Sequence, residues 1–224
     1  MINDHIREKI QNSIVINYPY PHMIIDNILT DEFAEKLHEE LMLIEMNESP
    51  DNDFSSNYGK KMEYKREIPS AQKYNQIREI LSGSELSDCI AEKFNLSKLE
   101  GDPSFDGGGY VISPKNSFLR YHADFNFSSK VNKYRIVNLI LYMNRDYSSK
   151  DGGCLHLLDY ESKTVESEVK PIFNRAVIFL TNEKTVHGVN RNNGEFQRRS
   201  FNTYFYSETP LLEGEITPHK TLWV

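Results

Sequence analysis

The chain has 224 residues, 38% hydrophobic and 12% aromatic, which is enough for one sizeable core and excludes a disordered chain. Its net charge of −7, with no dense basic cluster, argues against a nucleic-acid partner. No apolar run approaches the roughly 18 residues that cross a bilayer, so we expect no membrane partner. The two cysteines stand in unrelated contexts and the N-terminus does not resemble a secretory signal, so a cytoplasmic location is expected. We expect a single domain over residues 1–224.

Helices are predicted in the first part of the chain, over about residues 28–100. Thr30 and the two acids after it are typical of a helix N-terminus. The apolar stripe of this helix consists of Phe33, Leu37, Leu41 and Ile44. A second helical pattern begins at Ser70 and stops at Gly83, and a third follows it to about Asn95.

Residues 47–65 are rich in Asn, Ser, Asp and Lys and show little periodicity. This composition predicts a long loop. Two interpretations stay open: a solvated surface loop without a role, or a lid that closes over a compact ligand.

The second half of the chain has β character. After Gly107 the β-branched and aromatic residues fall into short runs at 110–113, 118–125, 136–143, 154–158, 176–181 and 201–206. Such runs, without helices between them, predict an antiparallel barrel or jelly roll. The expected fold is mostly β with flanking helices: a double-stranded β-helix (jelly-roll, cupin-like) core over about residues 108–207, buttressed by the N-terminal helices.

Two histidines and one carboxylate suggest a metal site. His122 and Asp124 lie in one predicted strand, and because side chains alternate with period two, both point to the same face. His187 follows several strands later and supplies a third ligand. This ligand set leaves coordination positions open, as non-heme Fe(II) oxygenases require.

A pair of arginines precedes the last aromatic strand. A guanidinium can hold a carboxylate through two parallel hydrogen bonds. Alternation places Arg199, Phe201, Thr203 and Phe205 on one face, which we predict to be the barrel interior. Arg198 is then expected to face the other way.

These motifs resemble the prolyl 4-hydroxylase-like 2-oxoglutarate/Fe(II)-dependent dioxygenase family, whose pattern is His-x-Asp, a distal His and an Arg shortly after it. The similarity covers about residues 17–207, with matching stretches at 118–126, 134–144, 152–155 and 173–175. One stretch departs from the pattern, because relatives often carry a Tyr and a Pro-Gly turn where this chain has residues 112–116. Tyr110 either replaces that hydroxyl or belongs to the core.

The resemblance implies an enzyme that uses Fe(II), 2-oxoglutarate and dioxygen, with ascorbate as an accessory reductant. The two histidines and the aspartate named above would ligate the iron. Arg199 would bind the far carboxylate of 2-oxoglutarate, and Tyr142 and Thr203 would hydrogen-bond it. His156 has no acidic partner at chelating spacing, so a structural role is expected for it.

The expected reaction is hydroxylation of an unactivated C–H bond, with release of succinate and CO₂. Asp124 favours hydroxylation over halogenation, because halogenating relatives carry a small residue there. A small molecule or amino acid is the favoured substrate, since nothing resembles a separate peptide-recognition domain. The alternatives are a prolyl hydroxylase acting on a peptide or protein, and a non-catalytic jelly-roll metal-binding module. Arg120 and Arg135 either approach the substrate at the barrel mouth or pair with nearby acids.

Overall fold

The structure is a computed structural model that describes residues 2–56, 59–145, 147–211 and 217–224. Its helices are α1 (Ile2–Asn12), α2 (Asp31–Asn47), α3 (Gln72–Ser82) and α4 (Ser84–Phe94). The hydroxyl of Thr30 caps α2 by accepting a hydrogen bond from the amide of Phe33, as its position predicted. In the described part of the chain, no helix combines the length and apolarity that crossing a membrane requires.

The remaining elements are β-strands. They are β1 (His22–Asp26), β2 (Asn52–Ser56), β3 (Gly59–Tyr64), β4 (Glu100–Gly101), β5 (Gly109–Ser113), β6 (Leu119–Ala123), β7 (Phe127–Ser128), β8 (Lys133–Tyr142), β9 (Leu155–Leu158), β10 (Val165–Val169), β11 (Arg175–Leu180), β12 (His187–Val189), β13 (Arg198–Ser207) and β14 (Leu222–Trp223). The main path of the sheet runs β1-β11-β8-β13-β5-β3-β6-β12-β9-β10, with antiparallel pairing throughout. The predicted fold, mostly β with flanking helices, is confirmed.

The larger core lies between the helices and one face of the sheet. Phe201 on β13 shows how it is built, because its ring packs between Tyr74 of α3 and Tyr110 of β5, with centroids 6.0 and 5.2 Å away. A smaller cluster, which includes Tyr142, Leu157 and Phe179, occupies the opposite side of the sheet. Along β8, Leu139 and Leu141 belong to the larger core, whereas Ile140 and Tyr142 belong to the smaller cluster.

Strand β13 therefore faces opposite to the prediction. Phe201 and Phe205 pack in the helix-covered core rather than in the barrel interior. The physical reason is that the helices bury the more apolar face of the strand, whereas the inward face carries Ser200, Asn202 and Tyr204. Aromatic alternation indicates a buried face but does not say which of two buried faces it is.

The region 47–65 also differs from expectation. Residues 52–56 and 59–64 form the hairpin strands β2 and β3, while residues 57 and 58 lie outside the described part of the chain. The sequence did not indicate these strands, because every residue of β2 is exposed and polar residues dominate it. Strand β3 is paired with β5, which lies far along the chain. Whether the hairpin acts as a lid stays a prediction.

Candidate active site

Strands β6 and β12 pair and bring two histidines together. His187 lies directly opposite His122, and Val189 lies opposite Leu119. Two residues of β6 thus oppose the single Gly188, which is the geometry of a β-bulge. The bulge keeps Leu119 and His122 on the cavity side of the sheet.

Gly188 permits this close pairing. A Cβ added there would lie 2.6 Å from Tyr121 Cδ1 and 2.7 Å from the carbonyl oxygen of Leu119. We expect Gly188→Ala to push β12 away from β6, to lower the free energy of unfolding by roughly 1–3 kcal/mol, and to weaken Co(II) binding. Urea denaturation and Co(II) titration measure the two effects.

Gly107→Ala is the control for this prediction. Gly107 has φ +75°, with only the Tyr204 ring near an added Cβ, so the variant should lose stability through backbone strain and bind Co(II) normally. Unchanged Co(II) affinity in Gly188→Ala would contradict the idea that strand spacing controls the site.

The potential ligand atoms of three residues converge. One carboxylate oxygen of Asp124 lies 3.5 Å from His122 Nε2, and the other lies 3.4 Å from His187 Nε2. All three ligand atoms fall within 4.8 Å of one another. Among the described residues, this is the one cluster of three histidine, cysteine, aspartate or glutamate side chains arranged to hold a cation.

Both imidazoles are held in the tautomer that can bind a cation through Nε2. His122 Nδ1 lies 2.7 Å from the carbonyl oxygen of Arg120, and His187 Nδ1 lies 3.1 Å from that of Thr185. Because a carbonyl oxygen can only accept, each Nδ1 carries the proton and each Nε2 offers a lone pair. Burial lowers the pKa of His187 to about 4, although Asp124 opposes the shift, so this imidazole is neutral at pH 7. The donor set fits a divalent cation such as Fe(II).

The carboxylate of Asp124 is oriented by β8. Its Oδ2 accepts hydrogen bonds from Asn138 Nδ2 at 2.8 Å and from Arg135 Nη2 at 2.9 Å. Burial alone would raise the pKa of Asp124, but the positive charge of Arg135, with contributions from His187 and His122, holds it well below its usual value. The carboxylate is therefore ionised at neutral pH, as a metal ligand must be.

The three side chains border a cavity of about 540 Å³. Its walls come from the β2–β3 hairpin, strands β6, β8, β12 and β13, and the segment that carries β14. The apolar side chains of Ile140, Leu155 and Val189 also line it. This size suits a small-molecule site.

Arg198, not Arg199, lies in this cavity. Arg198 is 5% exposed and lines the wall, with Nε donating to the carbonyl of Gly153 at 3.0 Å and Nη2 donating to the Tyr142 hydroxyl at 3.1 Å. Tyr142 thus lies beside a guanidinium, as predicted, but the guanidinium belongs to the neighbouring residue.

Arg199 and Thr203 are directed to the helix-covered face. The Arg199 guanidinium makes paired hydrogen bonds of 2.7 and 2.8 Å to Glu45 on α2. The Thr203 hydroxyl lies 3.5 Å from the carbonyl of Leu81. Neither residue lines the cavity, because the facing of β13 is opposite to the predicted one. The predicted location of Arg199 and Thr203 in the barrel interior is therefore wrong, and their placement gives no support to the predicted contacts with 2-oxoglutarate.

The remaining candidates divide between the two sides of the sheet. Arg135 lines the cavity with its guanidinium stacked 3.5 Å from the Tyr204 ring centroid, whereas Arg120 is exposed and turned away by the bulge.

Tyr110 is a core residue that donates a hydrogen bond of 2.5 Å to Glu45. His156 bonds Tyr121 and Glu168 outside the cavity.

Two further cavity residues were missed from the sequence. Asn138 carried a signal, because a polar residue inside an apolar strand needs a buried partner, and that partner is Asp124. Trp223 carried no comparable signal, since its position next to the ligands depends on the distant pairing of β14 with β6.

A second cavity, of about 650 Å³, lies among the four helices. Its charged groups include the ion pair of Lys36 and Glu32, 2.7 Å apart. It contains no histidine and no convergent set of metal ligands. We therefore take the barrel cavity, rather than the one among the helices, as the candidate functional site.

Comparisons with known proteins agree with this geometry. The sequence profile of the 2OG-Fe(II) oxygenase superfamily matches residues 104–206, which include all three potential ligands. No curated protein matches the sequence.

Several solved structures share the fold. A Pseudomonas putida prolyl-4-hydroxylase is 18% identical with a TM-score of 0.67, covering 90% of this chain and 98% of the other. A Trichoplax adhaerens prolyl hydroxylase, in complex with a peptide fragment of a hypoxia inducible factor, is 18% identical with a TM-score of 0.59, covering 92% and 89%. HygX of Streptomyces hygroscopicus, with nickel and 2-oxoglutarate bound, is 13% identical with a TM-score of 0.51, covering 84% and 83%. The expected jelly-roll core is thereby confirmed.

Proposed function

We propose that this chain is an oxygenase that uses Fe(II), 2-oxoglutarate and dioxygen, and that it hydroxylates a small molecule such as an amino acid. The match of residues 104–206 to the profile of the 2OG-Fe(II) oxygenase superfamily supports this proposal. The proposed iron ligands are His122, Asp124 and His187. The proposed anchor for the far carboxylate of 2-oxoglutarate is Arg198, with Tyr142 beside it.

One observation carries the proposal: the three converging ligand atoms and a buried guanidinium border the same cavity. A buried arginine without a carboxylate partner is costly, and the described contacts of Arg198 are with a carbonyl and two hydroxyls. The Tyr142 hydroxyl accepts from Arg198, so its own proton is available to a second acceptor. Together they form a site for an anionic carboxylate.

The side chains around the cavity have separable tasks in this proposal. Arg198 orients the cosubstrate, while Asn138 and Arg135 hold the Asp124 carboxylate in place. Phe179 packs edge-on against His187, with ring centroids 5.0 Å apart, which restricts the imidazole and excludes water behind it. Iron with 2-oxoglutarate and dioxygen supplies the oxidation of the C–H bond, with succinate and CO₂ as coproducts.

The cavity favours a compact substrate. Its volume of about 540 Å³ must hold 2-oxoglutarate and the reacting part of the substrate together. The hairpin β2–β3 and the segment carrying β14 border it on two sides, which limits the space for an extended chain.

A prolyl peptide is the second candidate substrate. Two of the three structures named above are prolyl hydroxylases, and one of them holds a peptide. The hairpin strand β2 is exposed and, in the described part of the chain, joins the sheet through its pairing with β3. An exposed strand at the margin of a sheet can accept an extended peptide.

The reaction class is tested by anaerobic titration with Fe(II) and 2-oxoglutarate. A weak visible charge-transfer band should develop that needs both additions. Folded protein that gives no such band would refute the proposed iron and 2-oxoglutarate site.

We predict that free amino acids stimulate succinate release more than prolyl peptides do, because the cavity encloses compact ligands. The measurement is succinate formed per enzyme across matched panels of both, with iron and ascorbate supplied. Stimulation by peptides alone would select the second candidate. Iron uptake with no 2-oxoglutarate turnover on any panel would favour the non-catalytic module.

A further inference from the structure

A short strand beyond the profile match covers one side of the candidate metal site. Strand β14 pairs antiparallel with β6, placing Trp223 directly opposite His122. The amide of Val224 continues the pairing by donating to the carbonyl of Tyr121 at 2.9 Å. The strand that carries His122 and precedes Asp124 thus has β14 as an additional neighbour.

The side chains of β14 alternate across the cavity wall. Thr221 and Trp223 line the cavity, whereas Leu222 does not and is 42% exposed. The indole ring centroid of Trp223 lies 5.0 Å from that of His122, with the planes at 42°. The indole is 40% exposed, so it contacts solvent as well as the imidazole.

The imidazole of His122 is held from three directions. Its Nδ1 proton bonds the carbonyl of Arg120, the ring of His187 lies 4.5 Å away, and the indole of Trp223 lies on a further side. A single hydrogen bond permits the ring to rock about its Cβ–Cγ bond. Ring packing restricts that motion and so keeps Nε2 directed at the cation.

We infer that Trp223 is a positioning residue for the proposed ligand His122, and that its indole shields the metal from solvent. This inference rests on the proposed function, because it has meaning only if His122 binds a metal. It assigns a role in the metal centre to a strand outside residues 104–206.

Fluorescence tests the placement of the indole. Trp223 is the one tryptophan of the chain, so selective excitation at the red edge of the absorption reports on this position alone. Co(II) bound by the three ligands should quench the emission saturably at one equivalent, because a paramagnetic ion close to an indole quenches it. His187→Ala, which retains the indole, should lose this stoichiometric quenching.

Metal affinity tests the positioning role. We expect Trp223→Ala to bind Co(II) roughly threefold to tenfold more weakly, the range that loss of one aromatic contact implies. Trp223→Phe, which preserves a ring against His122, should restore most of the affinity. Leu222→Ala, on the other side of the same strand, should bind as the unaltered protein does. The visible absorption of bound Co(II) gives each dissociation constant, and circular dichroism checks folding.

The possible failures are distinguishable. If Co(II) binds with its visible band but the emission is unchanged, Trp223 does not lie at the metal and the inference is overturned. It is equally overturned if Trp223→Ala binds as tightly as the unaltered protein, or if Trp223→Phe is as weak as Trp223→Ala. Absence of any Co(II) band in the unaltered protein would refute the proposed metal site itself.

Discussion

Replacement of His187 by Ala should weaken Fe(II) and Co(II) binding by more than about a hundredfold, because it removes a ligand rather than a residue that only orients one. Turnover of 2-oxoglutarate should be lost with it. The remaining His122 and Asp124 come from a single short stretch of β6 and the residue after it, and such a pair cannot surround a cation. Metal titration, followed by assay at saturating iron, measures both effects.

His156→Ala is a matched control for this prediction. His156 lies opposite Gly188 on the neighbouring strand β9, but its ring bonds Tyr121 and Glu168 outside the cavity. Metal affinity should be unchanged in this variant. Equal losses in the His187 and His156 variants would indicate general damage to the sheet and would contradict the assignment of His187.

The second large effect is expected from two adjacent arginines. Arg198→Gln should raise the dissociation constant of 2-oxoglutarate by roughly 30- to 1000-fold, since truncating one partner of a buried charged contact costs about 2–4 kcal/mol. Arg199→Gln should leave that constant nearly unchanged, because its guanidinium lies against Glu45 on the other side of the sheet. Anaerobic titration of the visible band with 2-oxoglutarate gives both constants.

Arg199→Gln should instead reduce stability. Loss of its two hydrogen bonds leaves the half-buried Glu45 without its cation, which costs roughly 1–3 kcal/mol. The double variant Glu45→Gln/Arg199→Gln removes both charges and should recover part of that loss. If Arg199→Gln proved to be the variant that loses 2-oxoglutarate, the observed facing of β13 would be contradicted.

The elements that the sequence predicted well are those whose signal is local. The helical stripe of α2 and its cap at Thr30 depend on residues within a few positions of one another. The placement of His122 and Asp124 on one side follows from alternation along a single stretch of chain. The convergence of His187 required the family pattern, because nothing local to Thr185–Gly188 says which strand it will pair with.

The features that were mispredicted depend on distant partners. Alternation along β13 separates Arg198 from Arg199, but only packing against α2 and α3 decides which of them faces the cavity. The outward turn of Arg120 depends on a bulge set by Gly188 of another strand. The polar strand β2 exists because β3 pairs with it, which no pattern within residues 47–65 indicates.

The direct pairing of β6 with β12 gives a bound cation a mechanical role. A metal shared by the proposed ligands His122, Asp124 and His187 would join two strands that are far apart along the chain, and it would fit only the register in which the two histidines lie opposite each other. Since the unfolded chain offers no such arrangement, a bound ion would stabilise the folded state alone, and the free energy of unfolding would rise with the free metal concentration. Iron supply would then govern how long the folded protein persists as well as how fast it works.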